Sequence, residues 1–126
     1  MTVNYNELYR DFISRFPENS EKIKTIAADS LVEDSDGMHV LFGIVVIPFV
    51  KDLMNNNQTD KITTAFEFFE DMAKSTDEMI SEVLEFTVLE DFISEGKEFL
   101  TKCLFYMGPE TKKSCQSVMK YMELSD

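Results

Sequence analysis

One apolar run decides what this chain can fold into: VLFGIVVIPFV at residues 40–50. Its β-branched centre suits either a strand or a buried helix, and periodicity alone does not separate the two. Two other features do. Pro48 would remove a ladder donor from a central strand, and no second β-branched run exists for such a strand to pair with. The continuation FVKDLM returns to helical spacing at Phe49, Val50, Leu53 and Met54. The sequence therefore predicts a buried helix over 38–54, kinked near Pro48 and ending in the Asn55-Asn56-Asn57 turn. The run itself is too short to span a bilayer.

Only 4 Gly and 3 Pro punctuate the chain. Residues 3–16 carry a helical stripe of Val3, Leu8, Phe12, Ile13 and Phe16, which Pro17 ends. Ser20 is placed to cap a second helix with Ile23, Ile26, Ala27 and Leu31 on one side. VEDSDG at 32–37 has the composition of a loop. Thr59 or Asp60 opens a helix with Ile62, Ala65, Phe66, Phe69, Met72 and Ala73 inward, and Ser75, Thr76 and Asp77 break and recap the chain. The apolar face resumes at Met79, Ile80, Val83, Leu84, Val88, Leu89, Phe92 and Ile93, as far as Gly96. A short helix over 97–107 precedes a Gly108-Pro109 stop, and Pro109 suits the first turn of a last helix running to about Leu124. The expected fold is all-α. It is a single domain over 1–126 with six or seven short helices, either a compact bundle or a short solenoid-like array of helix pairs.

Charge narrows the function. Twelve Lys+Arg against 24 Asp+Glu leave a net charge of −12. That sign repels phosphate, which argues against direct nucleic-acid binding and against anionic membrane surfaces. It favours a basic protein partner. Between 67 and 98 eleven acids face only Lys74 and Lys97, so one quarter of the chain holds nine of the twelve net negative charges. The candidate partner-binding acids are Glu67, Glu70 and Asp71 on one helix, then Asp77, Glu78, Glu82 and Glu85 on the next. They fall opposite the apolar stripe, where like charges at helical spacing cost a few tenths of a kcal/mol per pair. Phe68 and Phe86 fall toward the same side and are candidate anchors. A merely solvated helix surface is the plainer reading of the same residues.

Motifs for chemistry are missing. Glu67/Glu70 and Glu82/Glu85 are Glu-x-x-Glu pairs, but a di-metal carboxylate bundle also needs Glu-x-x-His motifs directed inward. His39 is the one histidine and lies in neither helix; it suits a partly buried or capping position at a helix start. No nucleophile elbow, Gly-rich phosphate loop, Cys-x-x-Cys or EF-hand pattern occurs. Cys103 shares helical spacing with Leu100, Leu104 and Met107, and Cys115 with Val118, Met119 and Met122, so both read as reduced core residues. The N-terminal MTVNYNELYRDF has no secretory pattern, which points to the cytoplasm. No catalytic residue, cofactor or metal is expected, and the chain reads as non-enzymatic.

Three segments taken together carry a resemblance: HVLFGIVVIPFVKDLM (39–54), FEFFEDMAKSTDEMISEVLEFTVLE (66–90) and YMGPETKKSCQSVMKYM (106–122). They resemble a group of small, acidic, all-helical bacterial immunity proteins encoded beside secreted or contact-dependent toxins. The shared markers are the apolar spacings, the helix-breaking Gly-Pro and one acidic helix pair. The resemblance implies an antitoxin that binds and neutralises a cognate basic toxin, of nuclease type, and has no active-site motif of its own. A nuclease needs a basic cleft for phosphates, and an acidic face can cover such a cleft and speed encounter with it. The alternative is a non-enzymatic helical adaptor or scaffold that recruits another protein through the same surface. A carboxylate metalloenzyme is a third reading, opposed by the single histidine and the outward acids.

Overall fold

Seven helices and no strand form among residues 3–125, the residues that the computed structural model describes, with side chains described to 123. They are α1 (Leu8–Ser14), α2 (Ser20–Asp29), α3 (Met38–Asn55), α4 (Thr59–Lys74), α5 (Glu78–Glu82, Val83–Leu89 and Glu90–Ser94 run on as one helix), α6 (Lys97–Tyr106) and α7 (Pro109–Ser125). The all-α expectation holds.

The helix ends follow local chemistry, sometimes not the chemistry expected. Asn4 accepts the Asn6 N–H at 3.0 Å and opens a 3₁₀ turn at Tyr5–Glu7, so helical structure begins after Val3. A second 3₁₀ turn, Pro17–Asn19, leads into α2, where Asn19 takes the cap position without a side-chain bond. Ser20 is the first residue of α2 and its expected capping bond does not form. Leu31, expected on the inward side of α2, is 89% exposed. The helix has already closed by then: Leu31 N–H reaches Ala28 O (3.1 Å) and Val32 N–H reaches Ala27 O (3.0 Å), with Leu31 at φ 58°. This is a Schellman ending, whose left-handed residue turns its side chain away from the helix. Asn57 does the same after α3, at φ 53°.

In α3 a wide turn forms just before Pro48, where the sequence predicts a kink. Over Phe42–Val46 the bonds run five residues back, and Ile47 N–H reaches Phe42 O. In an ordinary α-turn the Pro48 ring would press on the Ile44 carbonyl and give it no N–H; the wide turn moves the ladder out of that conflict. A second wide segment, Val83–Leu89, lies in α5 and packs against the first. Their junction is close: a Cβ on Gly43 would stand 3.4 Å from Thr87 Cγ2, and His39 Nδ1 lies 2.6 Å from Thr87 Oγ1. His39 is exposed, not partly buried or capping.

One contiguous core joins the longer helices, and α4 packs on α3, α5, α6 and α7 alike, as in a bundle and unlike a solenoid, whose units meet only their neighbours. Phe12 lies at its centre, with ring centroids 5.0 Å from Phe16, 6.0 Å from Phe42, 5.3 Å from Phe68 and 6.1 Å from Phe69. Phe69 hands on to Phe92 at 6.0 Å, and Phe92 to Phe99 at 5.6 Å. Each fully buried ring contributes roughly 1.5–3 kcal/mol by leaving water. Helix α3 is long and apolar enough to meet the length for a bilayer, 18 residues at mean hydropathy 1.5, although the 40–50 run alone is not; half of it is buried in this core. Helix α5 packs on α3, α4 and α7, with Glu78, Met79, Glu82 and Phe86 among its exposed residues.

Candidate functional site

The nine residues of the expected partner face divide on folding. Phe68 is fully buried. Its ring meets Phe12, and the Arg15 guanidinium carbon lies 4.5 Å from its centroid. It lies off the main stripe of α4, where the spacing predicts an outward side chain. That helix is covered by α1 as well as by α3 and α7, so its buried arc is wider than one stripe.

Glu70 is the second correction. It is 9% exposed and reaches the start of α7, where its carboxylate accepts the N–H of Glu110 (3.0 Å), the N–H of Thr111 (2.9 Å) and the Thr111 hydroxyl (2.8 Å). Gly108, whose carbonyl accepts the first bond of α7, is the N-cap and has no side chain. Glu70 supplies the capping oxygens from another helix. Burial alone would push its carboxyl up, but the Thr111 and Glu110 hydrogen bonds, with the charge of Lys74, outweigh it and hold the group below the usual carboxylate range. Asp71 is also occupied: it pairs with Arg15 at 3.2 Å, both side chains largely covered. Asp77 remains exposed and caps α5 by accepting the Met79 N–H at 2.9 Å.

What stays available is Glu67 on α4, and Glu78, Glu82, Glu85 and Phe86 along α5. Among the described residues, none of these four acids forms an ion pair, whereas Asp52, Asp71, Asp91 and Glu95 each have one. Glu85 is half-buried, and burial pushes its carboxyl up. Phe86 is 48% exposed and meets Tyr121 of α7 edge to face, at 5.7 Å between centroids. Tyr121 is itself 54% exposed. It lies off the stripe of Val118, Met119 and Met122, so helical periodicity alone does not single it out. On the other flank of Phe86, an open cleft of about 360 Å³ lies between α5 and α3.

Other chemistry does not converge. Cys103 and Cys115 are free and buried; burial, then the neighbouring Cys115, push the Cys103 thiol up to about 12, against a smaller opposing pull from Lys51. A thiol held protonated in this way is inert. No group of three or more histidines, cysteines and acids comes together as a metal site among the described residues. Lys51 bridges Asp91 at 2.7 Å and Glu95 at 2.9 Å, which ties α3 to the end of α5.

Fold and surface together define a small helical bundle with an acidic outer helix and an exposed aromatic pair. The chain belongs to the family described as Domain of unknown function (DUF7674), which matches residues 9–123. No curated protein and no solved structure matches it.

Proposed function

We propose that this chain is a non-enzymatic binding protein whose partner is a basic protein, held on the solvent side of α5, and that the partner is a nuclease-type toxin neutralised in the cytoplasm. The observation that carries the reading is the Phe86–Tyr121 pair set beside Glu78, Glu82 and Glu85, acids that form no ion pair among the described residues. Protein interfaces concentrate affinity in such aromatic anchors and use surrounding charge for encounter rate and register. A purely solvated surface would be served as well by mixed charge, and would gain nothing from two exposed rings. The net charge of −12 adds long-range attraction toward a basic cleft.

Co-expression with the product of the adjacent gene tests this, scored by cell survival and by co-purification. Rescue from a lethal neighbour together with a stable 1:1 complex supports the antitoxin reading. A harmless neighbour that does not bind overturns it and leaves the adaptor, which would use the same face for a different basic protein.

A further inference from the structure

We propose that the cleft between α3 and α5 receives one arginine side chain of a protein partner. Its guanidinium is held by the Gly43 carbonyl, the Glu90 carboxylate and the Ser94 hydroxyl, and its stem lies against Ile47 and Phe86. The inference rests on the reading of the chain as a binder of basic protein, and it states what that partner must present at this point.

The Gly43 carbonyl is the central observation. In an α-turn its donor would be the N–H of Ile47; in a wide turn it would be that of Pro48. Ile47 donates to Phe42, and Pro48 has no N–H. Helix α3 therefore offers the Gly43 carbonyl no donor, at a residue with no side chain to cover it, on the wall of the cleft. A backbone acceptor left without a partner is a demand for a donor from elsewhere.

The other wall makes the same demand. Glu90 has no ion-pair partner among the described residues, while its neighbour Asp91 is held by Lys51 at 2.7 Å. Ser94 ends α5 and Glu90 lies one turn before it, near the end where the helix dipole favours positive charge. The Thr87 hydroxyl, also at the cleft, is engaged with His39. A cleft with a free carbonyl, a free carboxylate and a helix C-terminus selects a cation with several donors. Arginine fits better than lysine because its planar fork meets two acceptors at once and lies flat on a ring such as Phe86.

The test is an NMR titration of the isotope-labelled full chain with an acetylated, amidated Gly-Arg-Gly peptide and its lysine and citrulline counterparts. Saturable shifts at the amides of Gly43, Ile47, Phe86 and Glu90 are expected with arginine, about tenfold weaker with lysine and absent with citrulline. Pro48→Ala restores a donor to the Gly43 carbonyl without changing any charge. It should keep or raise Tm, as alanine favours a helix interior, yet weaken arginine binding by about fivefold. Glu90→Gln should weaken it similarly. Equal binding of the arginine and lysine peptides, or a Pro48→Ala chain that binds arginine like the wild type, overturns the site. Neither result touches a partner captured through the outer face of α5. Conversely, arginine selectivity in a chain whose adjacent gene product is harmless keeps the cleft and removes the antitoxin.

Discussion

Glu70 on α4 and Thr111 on α7 are joined twice, through the Thr111 N–H at 2.9 Å and its hydroxyl at 2.8 Å, so one helix caps another across the bundle. The arrangement leaves no room at Gly108, where a Cβ would stand 2.5 Å from both Cδ and Oε1 of Glu70. Gly108 is not at positive φ; the carboxylate alone excludes a side chain there.

That geometry makes the two positions non-additive. Gly108→Ala should cost about 1–3 kcal/mol by overpacking, and Glu70→Ala about 2–3 kcal/mol by stranding the Thr111 and Glu110 donors. In the double variant the side chain that blocks the alanine methyl is gone, so the second substitution should add less than about 1 kcal/mol. Urea denaturation of the four proteins measures the coupling. Simple additivity would show that the contact does not bind Glu70 in place.

The pH dependence follows from the same carboxylate. The folded-state pKa of Glu70 is lowered, so its contribution is fully present above the unfolded carboxylate pKa and is lost as pH falls through the lower folded value. The stability difference between wild type and Glu70→Gln should therefore be largest at neutral pH and shrink in acid. Glu85 has the opposite sign. Burial raises its folded pKa, so Glu85→Gln should stabilise the chain at neutral pH, and the gain should fade as pH falls below the raised value. Denaturation series from neutral to acid pH check both.

Sequence periodicity carried the helices because each of the longer ones buries a face wide enough to show. It placed Pro17, Pro109 and the Asn55-Asn56-Asn57 turn correctly as stops or starts. It failed at Phe68 and Glu70 for one reason: a pattern on a single helix does not say how many neighbours will cover it. Helix α4 is covered on several sides, so an acid and an aromatic on its apparent outer face became a cap and a core residue. The wide turns were also hidden. Pro48 signalled a disturbance in α3, but nothing in Val83–Leu89 distinguishes it from an ordinary helix. Phe86 was legible as an exposed aromatic; its pairing with Tyr121 needed the packing of α7 on α5.

Leu31 is a separate site of local strain. A left-handed conformation costs a leucine about 1–2 kcal/mol, and its side chain is 89% exposed and recovers nothing by burial. Asn57 fills the matching position after α3 with a residue that tolerates it. Leu31→Asn should thus raise stability by about 0.5–1 kcal/mol, and Leu31→Gly by a little less because glycine also loosens the unfolded chain. A Tm unchanged or lowered in both variants would show that the leucine makes a compensating contact.

The outer face of α5 is tested by separating encounter from residence. Glu78, Glu82 and Glu85 act at long range, so reversing all three to lysine should slow association with the co-purified basic partner by about tenfold or more at low salt. Added salt should slow the wild type toward the same rate, since screening shortens the reach of exposed charge. Phe86→Ala acts at contact. It should leave the on-rate nearly unchanged and speed dissociation by about tenfold or more, as truncating an anchor does. Circular dichroism on each variant guards against misfolding. The face is excluded if the triple reversal leaves the on-rate intact and Phe86→Ala leaves the off-rate intact.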